Sequence, residues 1–110
     1  MEPARKQKVY IAGPMTGLPN FNFDRFHAAE KLLFGYGYDV VNPATLDNGS
    51  TDKPWEYYMR LALRAMLECD MIYALAGSQN SRGAMIEIEL ARKLNMPVQH
   101  EYTGSNRDFF

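Results

Sequence analysis

The residue whose setting most invites chemistry is Glu87. On a helix read from Ser81 to Leu94, Glu89, Arg92 and Lys93 share one arc, while Ala84, Ile88, Leu90, Ala91 and Leu94 spread over the other. Glu87 falls on the apolar side, between Ala91 and Leu94. A carboxylate there either snorkels out to water or is held inward by something charged, hydrogen-bonded or catalytic. Directly before it, Ser81, Arg82 and Gly83 open the helix, where free backbone N–H groups and the positive dipole end favour an anion. One short stretch therefore offers an anion cradle and, a turn later, a carboxylate. Metal chemistry is not expected, because His27 and His100 are isolated and no residues have metal-ligand spacing; no organic cofactor is expected either.

These residues need a scaffold, and the apolar pattern supplies one. Val9 to Ala12 reads as a buried first strand stopped by Gly13-Pro14. The loop that follows contains Gly13, Pro14, Met15 and Gly17, and its glycines allow backbone to approach a ligand closely. Asn22 is placed to cap a helix from Phe23 to Leu33, with Phe26, Ala29, Leu32 and Leu33 at core spacing. Phe21, Phe23 and Phe26 suit core packing, or the stacking of a planar ring.

Tyr38 to Val41 forms a second strand ended by Asn42-Pro43, and Thr45 to Lys53 a polar, exposed loop. A second helix runs from Pro54 to Glu68, with a wide apolar face that includes Trp55, Met59 and Met66. That width predicts a homodimer through this helix. Met71 to Ala76 is a third strand introduced by Asp70, which is read as a structural turn or cap residue, and Val98 to Tyr102 is the last strand. The resulting β-α-β-α-β-α-β order predicts an α/β fold: a small flavodoxin-like or Rossmann-like open parallel sheet of four to five strands with helices on both faces. Ligands bind such sheets at the C-terminal strand edge, where the Gly13 loop, the segment from Asn42 onward and the start of the Ser81 helix converge.

The 110 residues are read as one domain, with residues 1–7 and 103–110 as tails. Twelve Lys and Arg against thirteen Asp and Glu, scattered rather than clustered, give no reason to expect nucleic acid or a membrane surface as partner. The single cysteine, Cys69, excludes an internal disulfide and sits in an apolar run, as a core residue would. With no apolar run of spanning length and no secretory leader at the N-terminus, a cytoplasmic location, in a bacterium or a phage-infected host cell, is expected.

Three segments together resemble the nucleoside 2-deoxyribosyltransferase-like superfamily: Tyr10 to Gly17, Asp70 at the third strand, and Ser81 to Glu87. Pro14 to Phe23, Val41 to Ala44 and Ser81 to Ala84 look closest to the DUF4406 proteins of phages and bacteria. The resemblance implies cleavage of the N-glycosidic bond of a nucleoside or its monophosphate, with Glu87 as nucleophile and Tyr10 orienting it. Members acting on 5'-monophosphates resemble this chain in having serine at the position of Ser81, which favours a nucleotide over a nucleoside, with Arg82 as a second phosphate ligand. The expected substrate-binding set is thus Gly13, Pro14, Met15, Gly17, Asn42, Ser81, Arg82 and Gly83.

One departure stands out. The superfamily usually carries an aspartate on the second helix where this chain has Ala62. General acid catalysis typically contributes about 10² to 10⁴ in rate, so the departing base would lack that help unless Asp47, Asp52, Glu56 or a partner subunit supplies it. Two readings follow: a nucleotide N-glycosidase or deoxyribosyltransferase-like enzyme, and a catalytically weak or inactive nucleotide-binding module.

Overall fold

The structure, a computed structural model, describes residues 6–102; the expected tail 103–110 and most of the expected tail 1–7 lie outside the described residues. Four strands, β1 (Lys8–Ala12), β2 (Asp39–Val41), β3 (Met71–Ala74) and β4 (Val98–His100), form one parallel sheet in the order β2-β1-β3-β4. Between them run α1 (Phe23–Gly35), α2 (Trp55–Leu67) and α3 (Arg82–Lys93). The order reverses direction after β2, so the switch point lies at the C-terminal ends of β1 and its neighbours, where the loops of interest begin.

Alternation along β1 divides the core. Val9 and Ile11 point to one face and pack with Phe26, Ala29 and Leu33 of α1 and with Leu75. Tyr10 and Ala12 point to the other, where Ala62 and Met66 of α2 and Ile88 and Ala91 of α3 cover them. Helices therefore lie on both faces, as expected, and Tyr10 shares its face with α3. At the opposite end of the sheet the Asp70 carboxylate accepts from the Lys8 N–H at 2.8 Å, tying β1 to β3 far from the switch point.

Several local expectations are corrected by tertiary contacts. Asn22 does not cap α1 with its side chain; it is left-handed, and its Nδ2 donates instead to the Pro14 carbonyl at 3.0 Å. Leu32, placed in the core by spacing, is exposed because α1 turns that flank to solvent. On α2, Met66 is fully buried against the sheet and so is not available to a partner subunit, while Trp55 and Met59 turn toward a cavity near the N-terminus of α3. Tyr57 and Leu67 of the same helix remain exposed. Cys69 lies in the core cluster, and burial pushes its thiol up to about 11, which leaves it protonated and unreactive. Among the described residues, no helix is long and apolar enough to cross a membrane.

Gly13, directly after β1, is required by packing. A Cβ placed there would stand 2.8 Å from Leu75 Cδ1 and 3.0 Å from Leu75 Cβ, and Leu75 is itself buried. Substituting Gly13→Ala is expected to destabilise the fold by about 1–3 kcal/mol, the usual cost of overpacking a core. Urea unfolding of the two proteins side by side measures it.

Candidate functional site

Tyr10 reaches α3 from the middle of β1, and its hydroxyl donates to Glu87 Oε2. Both groups are buried: Tyr10 is 1% exposed and Glu87 5%. Burial raises the Glu87 carboxyl to about 7, against the opposing pull of the Tyr10 hydrogen bond. Burial, the neighbouring carboxylate and that same hydrogen bond all hold the Tyr10 phenol well above its ordinary value. The shared proton therefore belongs to tyrosine, and Glu87 is the group that titrates near neutrality. Among the described residues no cation lowers the Glu87 value, and desolvation dominates.

The pair forms part of the wall of a cavity of about 310 Å³ at the switch point. Met15 and Thr16 border it from the β1 loop, Leu46, Ser50, Thr51 and Lys53 from the loop after β2, and Ser81, Gly83 and Ala84 from the start of α3. Aromatic side chains, Phe21, Phe23, Phe26, Trp55 and Tyr58, make up much of the rest. This is a predominantly apolar chamber with a few placed polar groups, the usual character of a small-molecule site. Phe21 reaches it from an unusual backbone: Asn20, Phe21 and Asn22 take φ values of 49°, 53° and 62°, three successive left-handed residues without a glycine.

The expected site residues divide. Tyr10, Gly13, Met15, Ser81, Gly83 and Glu87 meet at the cavity. Ser81 caps α3, its Oγ accepting from the Ala84 N–H at 3.2 Å, so its hydroxyl proton remains to be donated. Gly83 lets α3 approach α2, since a Cβ there would lie 3.0 Å from Met59 Sδ. Four expected residues stand elsewhere. Asn42 is 2% exposed and fully engaged: its Oδ1 accepts from the Ala44 N–H, and its Nδ2 reaches Glu30 and His27. These contacts brace a turn, and Asn42 does not line the cavity. The Arg82 guanidinium lies over the Trp55 ring, 4.2 Å from its centroid, and the residue does not line the cavity. Pro14 offers its carbonyl to Asn22, and Gly17 sits in an open turn at φ +83°. Neither lines the cavity.

Ala62 does line it, so the position where the superfamily carries an aspartate faces the chamber with a methyl group. None of the suggested substitutes does so. Asp47 is bound to Ser50 and Lys53, Asp52 is 80% exposed, and Glu56 is on the outer side of α2.

A family profile described as "Domain of unknown function (DUF4406)" matches residues 7–100. The chain belongs to the DUF4406 family. No curated protein sequence matches it. Among solved structures, this DUF4406 chain is similar to a 2-deoxyribosyltransferase from the psychrotolerant bacterium Bacillus psychrosaccharolyticus, with a TM-score of 0.67 and 19% identity over 84% of this chain and 70% of that one. It is also similar to a 2-deoxyribosyltransferase from Leishmania mexicana, with a TM-score of 0.65 and 20% identity over 86% of this chain and 63% of that one. At such identities the likeness establishes the fold alone, an open parallel α/β sheet shared with these two structures.

Ser50, Thr51, Lys53 and Tyr58 of the DUF4406 chain were not anticipated. The only signal for the first three was the placement of a polar loop at the ligand-binding edge, whereas Tyr58 lies on α2. The geometry around Glu87 predicts a pH signature. Its folded-state value, about 7, lies above the ordinary 4.5, so the stability tied to the protonated form is complete below pH 4.5 and is lost as pH rises through about 7. Glu87→Gln, which keeps an acceptor for Tyr10 and removes the charge, should exceed the wild type at pH 8 by up to about 3 kcal/mol and converge with it near pH 4. Melting temperatures taken across that range check the sign.

Proposed function

We propose that this protein is a nucleotide N-glycosidase or deoxyribosyltransferase-like enzyme acting on a (deoxy)nucleoside 5'-monophosphate. The observation that carries the reading is the buried Glu87 carboxylate, oriented by the Tyr10 hydroxyl, on the wall of an aromatic chamber. In the reaction, a Glu87 oxygen attacks the anomeric carbon and forms a C–O bond as the C–N bond to the base breaks. The base leaves with the bonding electron pair and takes up a proton. Water, or a second base, then attacks the same carbon and frees the carboxylate. Tyr10 fixes which oxygen is presented, and the cavity walls exclude bulk water while the sugar is bound. Aromatic rings such as Phe23 and Trp55 suit the flat face of a base, and the start of α3, with the Ser81 hydroxyl, suits an oxyanion.

A second reading rests on Ala62. With a methyl group at that place and no carboxylic acid other than Glu87 on the cavity wall among the described residues, the same chamber would serve a module that binds a nucleotide without cleaving it.

Release of free base from a panel of nucleotides separates the two. In the enzymatic reading, Glu87→Gln abolishes release, and the wild-type rate rises with pH through about 7 because the ionised carboxylate is the nucleophile. Tyr10→Phe removes a hydrogen bond that lowers the carboxyl value, so the rising limb moves to higher pH and the rate at neutrality falls by about 10- to 100-fold. In the binding reading no base appears at any enzyme concentration, and Glu87→Gln holds the nucleotide as tightly as the wild type.

A further inference from the structure

Lys53 is the only basic side chain among the described residues that line the cavity. The cation expected from sequence, Arg82, lies over the Trp55 ring and does not itself line the cavity. Lys53 is held in place from several sides. Its Nζ lies 2.5 Å from Asp47 Oδ2, and its backbone N–H donates to the Tyr58 hydroxyl at 3.0 Å. Asp47 is in turn pinned by the Ser50 hydroxyl, which donates to the same carboxylate at 2.6 Å. Asp47, Ser50, Lys53 and Tyr58 thus form one polar knot on an otherwise apolar chamber.

An ammonium group has three hydrogens, and Asp47 takes one of them. Ser50 Oγ at 3.4 Å, Asp52 at 3.7 Å and the Tyr57 ring, 5.1 Å to its centroid, are weaker partners, and the Lys53 side chain is still 38% exposed. A cation so placed is aimed by Asp47 but not used up by it. We propose that Lys53, with the Asp47 carboxylate fixing its position, is the group by which this protein selects a phosphorylated nucleotide over the corresponding nucleoside. The inference rests on the reading of the cavity as a nucleotide site and assigns its phosphate-recognising cation. The phosphate of the ligand takes the remaining ammonium hydrogens, with the Thr51 hydroxyl on the same wall.

The experiment titrates wild type, Lys53→Met and Lys53→Arg with the four common 2'-deoxynucleoside 5'-monophosphates and with the four matching deoxynucleosides, by calorimetry at low and at high salt. The wild type is expected to favour a monophosphate over its nucleoside, and the preference should shrink with salt. Lys53→Met is expected to weaken monophosphate binding by about tenfold or more and leave nucleoside binding unchanged, while Lys53→Arg restores the preference. A wild type without such a preference, or a Lys53→Met variant that retains it or loses affinity for both ligands alike, overturns the assignment. Base release is followed separately in the same samples. Release with an unchanged preference in Lys53→Met removes the role of Lys53 and leaves the enzymatic reading standing. A preference that depends on Lys53 with no release does the reverse.

Discussion

The hydrogen bond from Tyr10 to Glu87 is the constraint to which the rest of the site answers. It joins the central strand of the first crossover to the third helix, and it lies where water has been removed from both partners. A carboxyl buried this far pays the desolvation of its ionised form, and one neutral donor returns only part of that. For the contact to exist at all, β1 must present residue 10 on the face that α3 covers, which a slip of one residue in strand register would reverse. The pairing of Tyr10 with Ile72 on one side and Val41 on the other fixes that parity.

Around this fixed centre the other elements are arranged by proximity. Glycines that look like ligand cradles are first of all packing devices. Gly13 admits Leu75, and Gly83 admits Met59, so that α2, α3 and the β1 loop close on the carboxylate. The loop after β2 folds back in tight turns, with left-handed Asp47, Asn48 and Gly49, and this brings Ser50 and Lys53 to the cavity instead of leaving them in solvent. Polar groups such as Ser50, Thr51 and Lys53 thus come from a loop, while the buried Tyr10–Glu87 pair comes from a strand and a helix. That division keeps the chemistry rigid and lets recognition vary.

The same division explains what could be read from the sequence. The fold and the Glu87 side of the site were legible because periodicity reports which face a residue occupies, and Glu87 broke an apolar face it otherwise belonged to. The partners of Asn42 and Arg82 were not legible because they are remote in sequence. Nothing near Asn42 announces His27 and Glu30, and nothing near Arg82 announces Trp55. Asn22 has the residue type of a helix cap, but its side chain is spent on Pro14. On α2 a sequence shows apolar width and not what fills it: Ala62 and Met66 pack in the core, Trp55 and Met59 border the cavity, and Tyr57 and Leu67 stay exposed.

Ala62 and Glu87 together bear on what such a chamber is for. A protein using the fold only as a scaffold would gain from an apolar side chain at position 87, since the surrounding core is apolar and the carboxyl is held near neutrality only at a cost. The chain keeps the costly carboxyl at position 87 and has none at position 62, where a buried methyl group borders the same cavity. Strain adds to the imbalance, because Phe21 is held at the chamber by a left-handed backbone that a bulky residue adopts only when its surroundings insist. Locally unfavourable choices that converge on one cavity support the proposed ligand site over a bare scaffold.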